Sequence, residues 1–130
     1  ELNMHFVNSH FMHPDDLLDE DRGAALGWEK LRARLDEYMT WMNESAPSLR
    51  NLTGSELAGA VQRYGALTVD KEITDQEIRI HLGNFYDEAY LMVRINDGTP
   101  GQVTGGELTN VTGNLYLLHA QESEVVIERN

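Results

Sequence analysis

With 130 residues and no cysteine, the chain is sized for one ordinary domain or two small modules, and it has neither a disulfide framework nor a thiolate metal site. Ten basic against twenty-two acidic residues leave a net charge of -12, which repels phosphate and disfavours nucleic acid and anionic lipid; a cationic partner or a divalent metal suits that field better. No apolar run nears the roughly 20 residues that span a bilayer, and the first residues do not resemble a secretory signal.

In residues 2–8, Leu2, Met4 and Phe6 alternate with Asn3, His5 and Val7, the period of a half-buried strand. The chain starts on Glu1, directly before this strand and without an initiator methionine, so it is expected to be cut from a longer protein. The strand runs into His10, His13, Asp15 and Asp16, and Pro14 stops any further ladder. Imidazoles and carboxylates serve as metal ligands and as general acids or bases, and a strand tip is where they meet a substrate. His10 is the leading catalytic candidate and His13 the second, with Asp15 and Asp16 placed to orient an imidazole or bind cationic groups. A plain polar loop at a domain edge is the competing reading. His5, inside the strand, reads as a packed residue.

The acidic run from Asp15 to Arg22 solvates a loop and favours the start of the next helix through its dipole. From about Leu26 to Asn43, Trp28, Leu31, Leu35, Tyr38 and Met42 recur at helical spacing, and Arg32 and Asp36 stand one turn apart. Trp28 and Trp41 read as packing residues rather than sugar platforms. Ser45-Ala46-Pro47 ends this helix. Thr53-Gly54-Ser55-Glu56 is a capping box, so a second helix follows, with Leu57, Ala58, Val61 and Tyr64 on its apolar side and Gly65 placed to end it.

Beyond Gly65 the period changes to two. Strands are expected at about 66–70, 76–82, 89–96, 101–108, 114–120 and 124–129, separated by Gly83-Asn84, Asn96-Asp97-Gly98, Gly105-Gly106 and Gly113-Asn114. The fold class is therefore α+β: one strand and two helices over residues 1–65, then an antiparallel β-sandwich of about six strands over 66–130. Alone, the first part would leave its apolar faces without partners. Either it packs on the sandwich, or it is the last strand and helices of a larger α/β barrel, whose reactive groups sit at the C-terminal ends of its strands.

The string "HFVNSHFMHPDDLLDEDRGAALGWEKLRARLDEYMTWM", followed by "APSLRNLTGSELAGAVQRY", resembles the C-terminal part of the deacetylase module in the bacterial Pel exopolysaccharide-modifying, PelA-like polysaccharide deacetylase family. The resemblance covers most of residues 5–64; after Gly65 it rests on element order alone. It implies a (β/α) deacetylase barrel followed by a β-sandwich accessory domain, and metal-dependent N-deacetylation of an amino-sugar polysaccharide in biofilm matrix production. It also implies a zinc-type divalent ion held by an aspartate and two histidines on early barrel strands, mostly outside this chain. "NSHFMHPDD" is similar to the late histidine motif that supplies the catalytic acid, which maps onto His10 or His13. The isolated chain is then expected to be inactive. Periplasmic or secreted localisation follows from the resemblance. So do three partners: the amino-sugar polymer, an outer-membrane secretion protein of helical repeats, and the remainder of the deacetylase domain.

Two other readings stand beside this one. A non-catalytic carbohydrate-binding or docking module would stack sugar on Phe85, Tyr86, Tyr90 and Tyr116. A free-standing metal-binding protein would use His10, His13, Asp15 and Asp16.

Overall fold

The computed structural model describes residues 13–19, 21–22 and 27–130. The expected strand over residues 2–8, and His5 and His10 with it, lie outside the described residues. The chain divides into two compact units, Glu1–Leu49 and Arg50–Asn130. The change of composition at Gly65 puts the second helix with the N-terminal part; in the structure that helix belongs to the same unit as the strands.

In the N-terminal unit, a 3-10 turn over Pro14–Leu17 precedes helix α1, Gly27–Ser45. Proline opens the turn because its fixed φ suits a helical first residue, where a missing N–H costs nothing. Along α1, Leu31, Leu35 and Tyr38 are half-buried and Met42 is buried, as the spacing predicts. The expectation for the tryptophans does not hold: Trp28 is 50% exposed and Trp41 55%. Trp28 lies in the first turn. Trp41 projects about 100° away from the apolar stripe and stacks along the helix on Tyr38, with ring centroids 6.1 Å apart. Arg32 and Asp36 pair at 3.7 Å, one turn apart.

In the second unit, helix α2, Gly54–Ala66, starts on the expected capping box. The Thr53 amide donates to Glu56 Oε2 at 2.7 Å, and the Glu56 amide donates back to Thr53 Oγ1 at 3.4 Å. The carboxyl of Glu56 is held below its ordinary range, first by that backbone donor and then by the Thr53 hydroxyl. Gly65 does not terminate α2: it lies inside the helix, and Leu67, in extended conformation, is the C-cap. Leu67 turns inward and packs against the core, so burial of the next apolar residue ends the helix without a left-handed glycine.

Seven strands follow: β1 Thr68–Ile73, β2 Glu77–Gly83, β3 Ala89–Arg94, β4 Pro100–Thr104, β5 Gly106–Thr112, β6 Leu115–Ala120 and β7 Glu124–Arg129. They form two antiparallel sheets, in the order β1-β2-β7-β4 and β3-β6-β5. Ile78, Ile80 and Leu82 of β2 and Val125 and Ile127 of β7 share one buried cluster with Ala89 of β3 and Leu118 and Ala120 of β6. Each sheet thus presents its alternate residues to the other.

The segment expected as one strand over 101–108 is two strands in different sheets, broken at Gly105. Gly105 has φ +79°, and a Cβ there would collide with the carbonyl oxygen of Glu124. Only glycine lets the chain cross from one layer to the other against that backbone. Its own carbonyl accepts from Gln121 and Glu122 at 2.9 and 3.0 Å, fastening the crossover to the β6–β7 turn. The β5–β6 hairpin closes through Gly113-Asn114, with φ +54° at the glycine, the first central position, where type II′ turns take glycine.

Candidate functional site

Among the described residues, each unit holds a cluster of chemically capable side chains. The first is the turn after the predicted strand. His13 precedes Pro14, and its backbone N–H donates to Asp16 Oδ2 at 3.0 Å while the Asp16 amide donates to the His13 carbonyl at 3.0 Å. Arg22 reaches the other carboxylate oxygen of Asp16 at 3.3 Å and lies 3.8 Å from Asp19. The Asp16 carboxyl is held below its ordinary range, chiefly by the His13 N–H, which outweighs the opposing desolvation, with Arg22 adding to the lowering. Asp16 is therefore a fixed anion that shapes the turn. Asp15 and the His13 imidazole are both exposed on it. The geometry between His10 and His13 lies outside the described residues.

The metal that the family resemblance implies finds no ligand set here: among the described residues, no three His, Asp or Glu side chains converge on a point that would hold an ion. Of the two histidines and two aspartates singled out in sequence, the structure brings His13 and Asp16 together through the backbone and leaves Asp15 at the surface.

The second place escaped sequence reading. Glu88, just before β3, accepts from Arg63 Nη2 of α2 at 3.0 Å and pairs with Nε2 of His119 on β6 at 3.0 Å. Arg50, in the segment before α2, stands 3.8 Å from the same carboxylate. The ring of Tyr90 lies nearly parallel to that of His119, with centroids 4.3 Å apart, and the Arg50 guanidinium sits 3.8 Å from the Tyr90 centroid. Register explains the ring pair: Tyr90 and His119 are direct partners across β3 and β6, so both project from the outer face of that sheet. Glu107 of β5 is His119's partner on the other side. Ion pairs this accessible contribute up to about 1 kcal/mol each, and the cation–π contact about as much. Together they fix one geometry. The available signal was His119 itself, the one histidine in the apolar run Leu115–Ala120.

The four rings considered as a sugar platform do not assemble as one. Phe85 and Tyr116 pack against the core, Tyr90 is occupied by Arg50 and His119, and Tyr86 alone is largely exposed, at 75%. On the other sheet, Nδ1 of His81 pairs with Glu124 across β2 and β7.

A model of the bacterial protein family described as "Uncharacterised protein conserved in bacteria (DUF2194)" matches residues 1–117. The chain belongs to this family. The match covers the Pro14 turn and the Arg50, Arg63, Glu88 and Tyr90 positions of the second place, and ends at Leu117 on β6, before His119 and β7. Neither a curated protein nor a solved structure matches it. No helix among the described residues is long and apolar enough to cross a membrane.

Proposed function

We propose that this DUF2194 chain is the C-terminal part of a metal-dependent polysaccharide N-deacetylase, acting on an amino-sugar exopolysaccharide outside the cytoplasm during biofilm matrix production. The reading rests on the residue string from His5 to Met42, with His10 and His13 at the end of the predicted strand. The turn at Pro14 supports it. Asp16 is committed to the backbone of His13 and to Arg22, so the loop has a set shape, and His13 and Asp15 are carried at its surface.

In this reading the barrel's remaining strands would hold a zinc-type ion, and the chemistry it would supply there is a water made nucleophilic near neutral pH. This chain contributes an imidazole, His10 first and His13 second, that protonates the departing amine near neutral pH. Asp15 faces the cationic product sugars, and the strongly acidic surface attracts a partially deacetylated, hence cationic, polymer or a basic region of a helical-repeat secretion partner. The two-sheet unit is an accessory body attached to that barrel.

The test is acetate release from an N-acetylated amino-sugar oligosaccharide by the full-length natural protein that carries this chain. Activity is expected with zinc supplied and lost on chelation, and His10→Asn is expected to lower kcat by about 10²–10⁴. Absence of acetate release with divalent metal present, or full activity in both His10→Asn and His13→Asn, would overturn the assignment.

A further inference from the structure

The manner in which α2 is held stands apart from that chemistry. No residue of α2 is buried, and Val61 and Tyr64, two of its expected apolar residues, are 56% and 76% exposed. Leu57, Gly59 and Ala60 are only half-buried. A helix anchored by a hydrophobic seam would bury a continuous stripe. The ties that hold α2 to the strands are instead polar and sit at its margins. Arg63 meets Glu88, the Ala66 carbonyl accepts from Asn84 Nδ2 at 3.1 Å, and Arg50, four residues before the helix starts, meets Glu88 and lies over Tyr90. Leu67, the C-cap, supplies the neighbouring apolar anchor.

We infer that α2 is a detachable arm, latched onto the two-sheet body by the single carboxylate of Glu88, on which the segment before the helix and its last turn converge. Three side chains share that carboxylate: Arg63 from the arm side and the His119 imidazole from the sheet side by hydrogen bonds, and Arg50 from the arm side as an ion pair at 3.8 Å. His119 is set by the body itself, through its stack on Tyr90 and its place in β6, so it aims Glu88 outward at the arginines. Loss of the Glu88 charge removes the common anion and leaves Arg50 and Arg63 as two like charges with no shared counter-charge. The body does not depend on the arm, because its buried cluster is drawn from β2, β3, β6 and β7 and from Ile95. Arg50 is also the first residue of its unit, so the same latch grips the chain where it enters that unit.

Amide hydrogen exchange on the full chain, read by mass spectrometry, tests this. Glu88→Gln and Arg63→Met should each speed exchange across Gly54–Ala66 by about tenfold or more, with β6 and β7 unchanged. Arg63→Met alters no strand residue and so separates release of the arm from damage to the sheets. Glu107→Gln, on the other side of His119, should leave α2 as it was. Unchanged exchange in α2 for both Glu88→Gln and Arg63→Met would overturn the inference. So would an equal acceleration in α2 and the core strands, which would make the helix an integral part of the body.

Discussion

Single carboxylates decide local structure in this chain, and their roles separate by who donates to them. Glu56 accepts from the Thr53 amide and hydroxyl, and Asp16 accepts from the His13 amide and from Arg22. Both carboxyls are held below their ordinary values, 4.5 and 3.8 respectively. A depressed folded value means that the carboxylate stabilises its element fully above the ordinary value and that this support disappears as pH falls through the lower, folded one. Acid should therefore loosen the α2 start below about pH 4.5, and Glu56→Gln should remove that pH dependence from the exchange rates of the first helical turn. Thr53→Ala should weaken the helix start at all pH values by about 1 kcal/mol, measured by the same exchange. The capping box was legible from four consecutive residues because both partners lie within one turn. The Glu88 cluster was not. Its members, Arg50, Arg63, Glu88, Tyr90 and His119, are spread over some seventy positions and meet only once α2 lies against the paired strands β3 and β6.

At the scale of elements, two glycines carry opposite meanings that sequence alone reads alike. Gly105 holds a left-handed φ and lies against the Glu124 backbone, so a side chain meets both conformational strain and a collision. Gly65 lies inside α2 with nothing within 4 Å of an added Cβ. Gly105→Ala should destabilise the unit by well over ~1 kcal/mol, and Gly65→Ala should stabilise α2 by about 0.5–1 kcal/mol. Urea unfolding reports the first, and helical ellipticity with amide exchange the second. Helix α1, α2 and most strand positions follow from their periods of 3.6 and 2. The failures occur where a neighbour overrules the local pattern. Gly105 splits one expected strand between two sheets, and burial of Leu67 rather than a glycine cap ends α2.

At the scale of the whole molecule, the four-strand sheet outnumbers the three-strand sheet, and the surplus is visible at β1, which is exposed along its entire length. β1 is an edge strand with Val69 and Ile73 on the side that pairs with Leu82 and Ile78, a surface open to strand addition. Its centre, Asp70-Lys71-Glu72, guards it. Antiparallel pairing of two copies through the middle of β1, with inner faces aligned, sets Asp70 against Asp70, Lys71 against Lys71 or Glu72 against Glu72. Replacing all three with threonine should produce concentration-dependent association by light scattering, whereas the native edge should show none through this strand. The net charge of -12 acts in the same direction by repelling copies of the chain at long range.

Composition and spacing by themselves determined the α+β class, the two helices with their capping box, the antiparallel character of the second half and the presence of a polar turn at Pro14, since each depends on contacts within a few residues. Tertiary structure alone decided the division of the strands between two layers, the membership of α2 in the strand unit and the meeting of Glu88 with two arginines and a histidine. The physical reason is separation along the chain: a hydrogen bond to the next turn is written in neighbouring side chains, whereas a pairing such as Tyr90 with His119 exists only after β3 and β6 have found their register.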